Sequence, residues 1–145
     1  MYDVRAMVGP VHVLRPDFGS DLLDQLHDFC RSESINLAWI SGIGAVSRAS
    51  LRYYNQAKKD WVDFELDKPV EVVNMIGNVS LLNGEPIVHL HMTVADKDGK
   101  CYGGHVANNT IVFNMEVLLT TLDGPATIRK MDTENTGLTI WTETE

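Results

Sequence analysis

The chain has 145 residues, 44% of them hydrophobic and 22% charged, which is the size and make-up of one ordinary globular domain that can bury a core without covalent staples. Its formal charge of −8 repels a phosphate backbone unless the basic residues cluster. They cluster little: Lys58-Lys59 and Arg129-Lys130 are the only adjacent basic pairs, and lone pairs of this kind read as solvated surface.

The first residues, MYDVRAMVGPVHVLRPDFGS, hold no long apolar core and no small-residue cleavage site, so no secretory leader is expected. The longest apolar stretch, INLAWISGIGAV, is too short and broken to span a bilayer. Cys30 and Cys101 are far apart and form no CxxC pair, which reads as two reduced thiols in a cytoplasmic protein. No repeat, low-complexity tract or linker interrupts the chain, and residues 1–145 are expected to form a single domain.

Taken in order, residues 10–15 suggest a short strand broken by PDFGS, and Ser20 is a good N-cap for a helix through DLLDQLHDFCRSES. Leu22, Leu23, Leu26, Phe29 and Cys30 share one helical face, while Asp21 and Asp24 suit the positive end of the dipole. His27 sits one step off that stripe and reads as structural. The period then shifts from 3.6 to 2. INLAWIS is a strand candidate ending in a sharp turn at Gly42-Ile43-Gly44, and ASLRYYN is a second strand. A polar turn at QAKKD leads to WVDFEL, and VEVVNMIGNVSLL gives two strands kinked or joined at Gly77. After the turn Asn83-Gly84-Glu85-Pro86 come IVHLHMTVA and KCYGGHVA as a hairpin, then TIVFNMEVLLTTL and a closing NTGLTIW. One helix among many hairpin-linked strands predicts an α+β fold, a largely antiparallel sheet with the main helix packed on it.

The hairpin HLHMTVADKDGKCYGGH holds three of the five histidines. Side chains alternate along a strand, so His89 and His91 point the same way. A two-residue loop at Asp98-Gly99 would set His105 opposite Met92, on the other face. A three-residue loop, Lys97-Asp98-Gly99, places Gly99 where a left-handed residue is needed and sets His105 directly opposite His91. The second register also gathers Val88, Leu90, Met92, Val94, Tyr102 and Val106 into a core face. Opposed and second-neighbour Cβ atoms lie about 5 and 7 Å apart, so three imidazoles can converge on one point. Neutral imidazole suits zinc first, and also iron, nickel or copper, and three protein ligands leave one position open.

Glu71 and Glu116 are acids inside apolar strands and are candidate catalytic bases or ligand-orienting groups if either approaches the histidines; Cys101 and Tyr102 are weaker ones. Gly42-Ile43-Gly44 lacks the third glycine of a nucleotide fingerprint, with Ser47 in its place. Ala95 and Asp96 stand where a cupin-type HxH site carries glutamate.

GSDLLDQL, INLAWISGIGAVSRASLRYY, PVEVVNMIGNVSLLNGEPIVHLHMTVADKDGKCYGGH and the later MEV resemble, in order, the PPC (plants and prokaryotes conserved) domain over residues 11–141. The resemblance implies an antiparallel α+β fold, a homotrimer, and His89, His91 and His105 as metal ligands. Stand-alone bacterial members are usually named as candidate DNA-binding proteins, and plant members carry the domain behind AT-hooks. This chain has no Arg-Gly-Arg core, and its charge is wrong for a phosphate footprint. Two functions follow: a trimeric metal-binding, regulatory module whose DNA role rests on resemblance alone, or a metal-dependent hydrolase or lyase acting on a small molecule.

Overall fold

The structure, a computed structural model, describes residues 1–142. In chain order it runs β1 (Met7–Leu14), α1 (Leu22–Ser32), β2 (Ala38–Asn55), β3 (Asp60–Leu66), β4 (Val70–Leu82), β5 (Glu85–Ala95), β6 (Cys101–Val106), β7 (Ile111–Asp123), β8 (Ile128–Met131) and β9 (Thr139–Thr142). The sheet is ordered β1-β7-β2-β6-β5-β4-β8-β9, with β3 also on β2. All pairings are antiparallel except β4 with β8. No helix of the described residues is long and apolar enough to cross a membrane.

The strand β2 is the organising element. Its first half pairs with β4 and β7, and its second half pairs with β3 and touches β6 through Leu51 and Arg52. Because β4, β5 and β6 are themselves joined in sequence, β2-β4-β5-β6 closes into a ring. The expected turn at Gly42-Ile43-Gly44 is therefore corrected: β2 runs on through it for 18 residues. The glycines are used for bending instead. Gly44 has φ +140°, and a Cβ there would lie 2.2 Å from the Asn114 carbonyl oxygen, where the pairing with β4 slips register. Likewise VEVVNMIGNVSLL is one strand, uninterrupted at Gly77.

The inner faces of these strands meet α1 in one core: Leu22, Leu26 and Cys30 from the helix, Ile40 and Leu51 from β2, Met75 and Val79 from β4, Leu90 and Val94 from β5, Met115 and Leu119 from β7. The helix starts one residue later than the sequence suggests. Asp21, in extended backbone at φ −73°, ψ 128°, caps it by accepting from the backbone N–H groups of Leu23 and Asp24 at 2.9 and 3.1 Å. Ser20 instead closes the preceding turn by donating to the Asp17 carbonyl at 2.6 Å. His27 plays the structural part its boundary position implies. Its Nε2 accepts the Val88 backbone N–H at 2.9 Å and ties the helix to β5.

Candidate metal centre

The turn between β5 and β6 decides where the histidines fall. Asp96 N–H bonds to the Lys100 carbonyl at 3.0 Å, Gly99 N–H to the Asp96 carbonyl at 2.9 Å, and Gly99 has φ +75°. That is the three-residue loop, locked further by the Asp96 carboxylate, which accepts the N–H groups of Asp98 and Lys100 at 3.0 and 3.1 Å. Its register pairs Ala95 with Cys101, Thr93 with Gly103 and His91 with His105. Val88, Leu90, Met92, Val94 and Val106 are buried on the opposite face.

The three imidazoles accordingly stand together. Ring centroids are separated by 5.2 Å (His89–His91), 5.0 Å (His89–His105) and 5.4 Å (His91–His105). One potential ligand atom from each lies within 4.8 Å of the other two. Tetrahedral zinc at its usual Zn–N bond length sets ligand nitrogens about 3.3 Å apart, so small ring rotations would bring the set onto one ion.

The protonation state of the rings also suits an ion. Burial, followed by repulsion from His105, Arg129 and His91, lowers the His89 pKa to about 4. Burial, followed by His91, Arg52 and Arg129, lowers that of His105 to about 4. Both rings are neutral at pH 7, the form that ligates. His105 Nδ1 is buried with no hydrogen-bond partner. Leaving such an atom unsatisfied costs about 1–3 kcal/mol, which a bonded cation would offset. The donor set and this orphaned nitrogen fit a transition metal.

These shifts carry a pH prediction for the metal-free protein. Both folded-state values lie below the ordinary 6.5, so the unfolded chain binds protons first as the pH falls. The stabilising effect is complete above that ordinary value and declines as the pH drops toward about 4. In chelator-treated protein the urea midpoint should fall from about pH 7 to about pH 4.5, and a His89→Gln, His105→Gln double variant should show a shallower fall. Equal slopes would remove the two rings from the linkage.

The histidines form the floor of a cleft of about 650 Å³. Its walls include Arg52 and Tyr54 of β2, Trp61 of β3, and Arg129, Met131, Leu138 and Thr139 from the β8–β9 hairpin. Trp61 packs on His105 at 4.9 Å and on Tyr54 at 5.0 Å, with the Arg52 guanidinium 5.0 Å above its ring. Arg129, expected to be solvated surface, is half-buried here. Its Nε donates to Ser80 Oγ at 2.7 Å, and its Nη2 donates to Asn78 Oδ1 at 2.9 Å and lies 3.4 Å from His89 Nδ1. The four-residue β8 is too short to show as a strand in the sequence, so nothing local marked Arg129 as a cleft residue.

The candidate acids are elsewhere. Glu71 is exposed on β4 opposite Ala95, four residues beyond His91 along β5, roughly 13 Å by strand rise. Glu116 is exposed on β7 opposite Ile43 and lines a different groove with Arg15 and Asn74. Cys101 is exposed beside the loop, and Tyr102 packs against the core with its hydroxyl 3.4 Å from Asp96. No acidic residue lines the histidine cleft among the described residues.

Residues 5–123 match the Plants and Prokaryotes Conserved (PCC) domain. The chain belongs to that family. Among solved structures it resembles the metal-containing protein AF0104 of Archaeoglobus fulgidus, at 41% identity and a TM-score of 0.94 over 99% of this chain and 100% of that one. A plant- and prokaryote-conserved protein of Pyrococcus horikoshii superposes with a TM-score of 0.92 at 33% identity, covering 100% and 99%. A candidate DNA-binding protein of Bacteroides thetaiotaomicron gives 0.83 at 25%, covering 98% and 97%. Bifunctional protein GlmU of a Synechococcus strain is 30% identical over 104 residues, 71% of this chain. The chain spans only 16% of that protein's length. The PCC match ends at residue 123, so the β8–β9 hairpin that walls the cleft lies outside it.

Proposed function

We propose that this PCC-domain protein is a metal-binding module that holds one divalent transition metal, zinc in the first instance, through His89, His91 and His105. The convergence of those three rings on one face of the β5–β6 hairpin carries the reading. AF0104, described as metal-containing, is similar over its whole length and supports it. Three protein ligands leave a further coordination position for water or an incoming group, and the cleft gives that position access to small molecules. The hydrolytic alternative lacks its base, since Glu71 and Glu116 both lie away from the cleft.

The module is further proposed to assemble as a homotrimer. Trp39, Ile43, Ile76 and Leu118 are 45%, 54%, 41% and 47% exposed, and the register places them on one side of three adjacent strands. A second and third copy would cover that face. Binding to duplex DNA is a weaker reading here. It rests on relatives such as the B. thetaiotaomicron protein, against a net charge of −8.

The test is made on the purified native chain. Elemental analysis should find one metal per chain, and light scattering should give three times the mass of a single chain. A labelled duplex should show no retarded band at physiological salt. Metal at trace level would end the metal reading, a monomer the trimeric one, and a band that survives that salt would restore DNA as a partner.

A further inference from the structure

The cleft carries a charge pattern that goes beyond holding an ion. Two guanidinium groups line it, and they are not equivalent. Arg52 is neutralised by Asp63, with Nε donating to the carboxylate at 2.5 Å. Arg129 has no acidic partner among the described residues. Its N–H groups go to neutral acceptors: Ser80 Oγ, Asn78 Oδ1, the Thr139 carbonyl at 3.2 Å, and the neighbourhood of His89 Nδ1. Burial disfavours its charge, yet a guanidinium does not release its proton in a protein. A half-buried cation of this kind is left uncompensated, and metal on the histidines would add to it. The pocket of an acidic protein is thus locally positive.

The rest of the wall limits what could supply the missing negative charge. Trp61, Ile87, Met131 and Leu138 present apolar surface, and about 650 Å³ suits a small organic molecule. Most of the Arg129 N–H groups are already engaged, so its charge suits a monoanion such as a carboxylate, whereas a phosphate dianion calls for more free donors than this guanidinium offers.

We propose that the cleft binds a small organic monocarboxylate, its charge answered by Arg129 and its apolar part lying against Trp61, Met131 and Leu138. The idea rests on the metal reading only for the second cation. Arg129, Met131 and Leu138 all follow residue 123, so this part of the wall comes from the C-terminal hairpin, beyond the stretch that the family match covers, while Trp61 lies within it. That hairpin is held across the cleft by the Tyr54 hydroxyl, which donates to the Thr136 carbonyl at 2.7 Å, and by Lys59 Nζ, which donates to the Glu134 carbonyl at 3.3 Å.

The experiment is isothermal titration of the full chain, zinc-loaded and chelator-treated, with butyrate, its uncharged counterpart butyramide, and inorganic phosphate. Butyrate should bind the zinc-loaded chain, and butyramide and phosphate at least about tenfold more weakly. Arg129→Gln should weaken butyrate by about tenfold or more, and Arg129→Lys, which keeps the charge, by less. Equal binding of butyrate and butyramide, tighter binding of phosphate, or an unchanged affinity in Arg129→Gln would overturn the proposal. Should Arg129→Gln not fold, the butyrate–butyramide comparison on the native chain decides alone. Metal content, measured separately, keeps the two readings apart. A chain that takes zinc but not butyrate sinks only this inference, and one that binds butyrate without taking zinc sinks only the metal centre.

Discussion

Replacing His91 with alanine is expected to lower zinc affinity by more than about 100-fold, beyond the ten- to hundredfold effect of losing an outer-shell hydrogen bond to a ligand. His91 is the most telling of the three because its side chain is exposed, so its removal leaves the core beneath untouched. Two imidazoles, His89 and His105, would remain 5.0 Å apart, a pair too few to complete a zinc site. Competition against a chromophoric chelator measures the loss, with circular dichroism showing that the sheet is retained. His12→Ala, altering a ring that packs on Phe29 away from the cleft, serves as the control and should leave affinity unchanged. If His91→Ala binds as tightly as the parent, the three rings are not a ligand set.

The second large effect is steric and concerns Gly77. A Cβ at this position would lie 2.0 Å from the His89 carbonyl oxygen and 2.7 Å from Leu90 Cδ2. The first of these is backbone and cannot yield unless β4 and β5 part. Gly77→Ala should therefore destabilise the fold by about 3 kcal/mol or more, at the upper end of overpacking costs. Gly84→Ala offers the contrast. Its φ is +84° but nothing lies within 4 Å of the added carbon, so only backbone strain of about 1 kcal/mol is incurred. Urea denaturation of the two variants at constant slope measures the difference. Comparable losses would mean that the tight approach of β4 to β5 is relieved at little cost. Because the obstructed atom belongs to His89, Gly77→Ala should weaken metal binding as well.

The part of the centre carried by one hairpin was legible in the sequence, since strand alternation and a glycine-ended loop fix His89, His91 and His105 without reference to anything distant. The surrounding cleft was not. Arg52 and Tyr54 alternate correctly for one face, but only the β2–β6 pairing of Arg52 with His105 shows that this face meets the histidines. Arg129 and Leu138 arrive from a C-terminal hairpin whose strands are four residues each, too short for a period to register. A different limit explains the misplaced break in β2. Glycine pairs read as chain reversal when seen locally, whereas here the partners on both sides, β4 and β7, carry the strand straight through and turn the glycines into bends. Local chemistry also chose Ser20 over Asp21 as the cap, two residues of nearly equal capping strength that only backbone geometry separates.

The connectivity has a consequence for the order in which the molecule forms. β4, β5 and β6 follow one another through short turns, so the three rings are brought together by pairings close in sequence. β2 must find β7 across a gap such as Ala38 to Thr121, and β8 must return to Leu81. Closing long loops is slow, which favours the histidine-bearing meander as the early structure and the arginine-bearing hairpin as the late one. A nascent chain would then present its three imidazoles to solvent before the wall that screens them has docked.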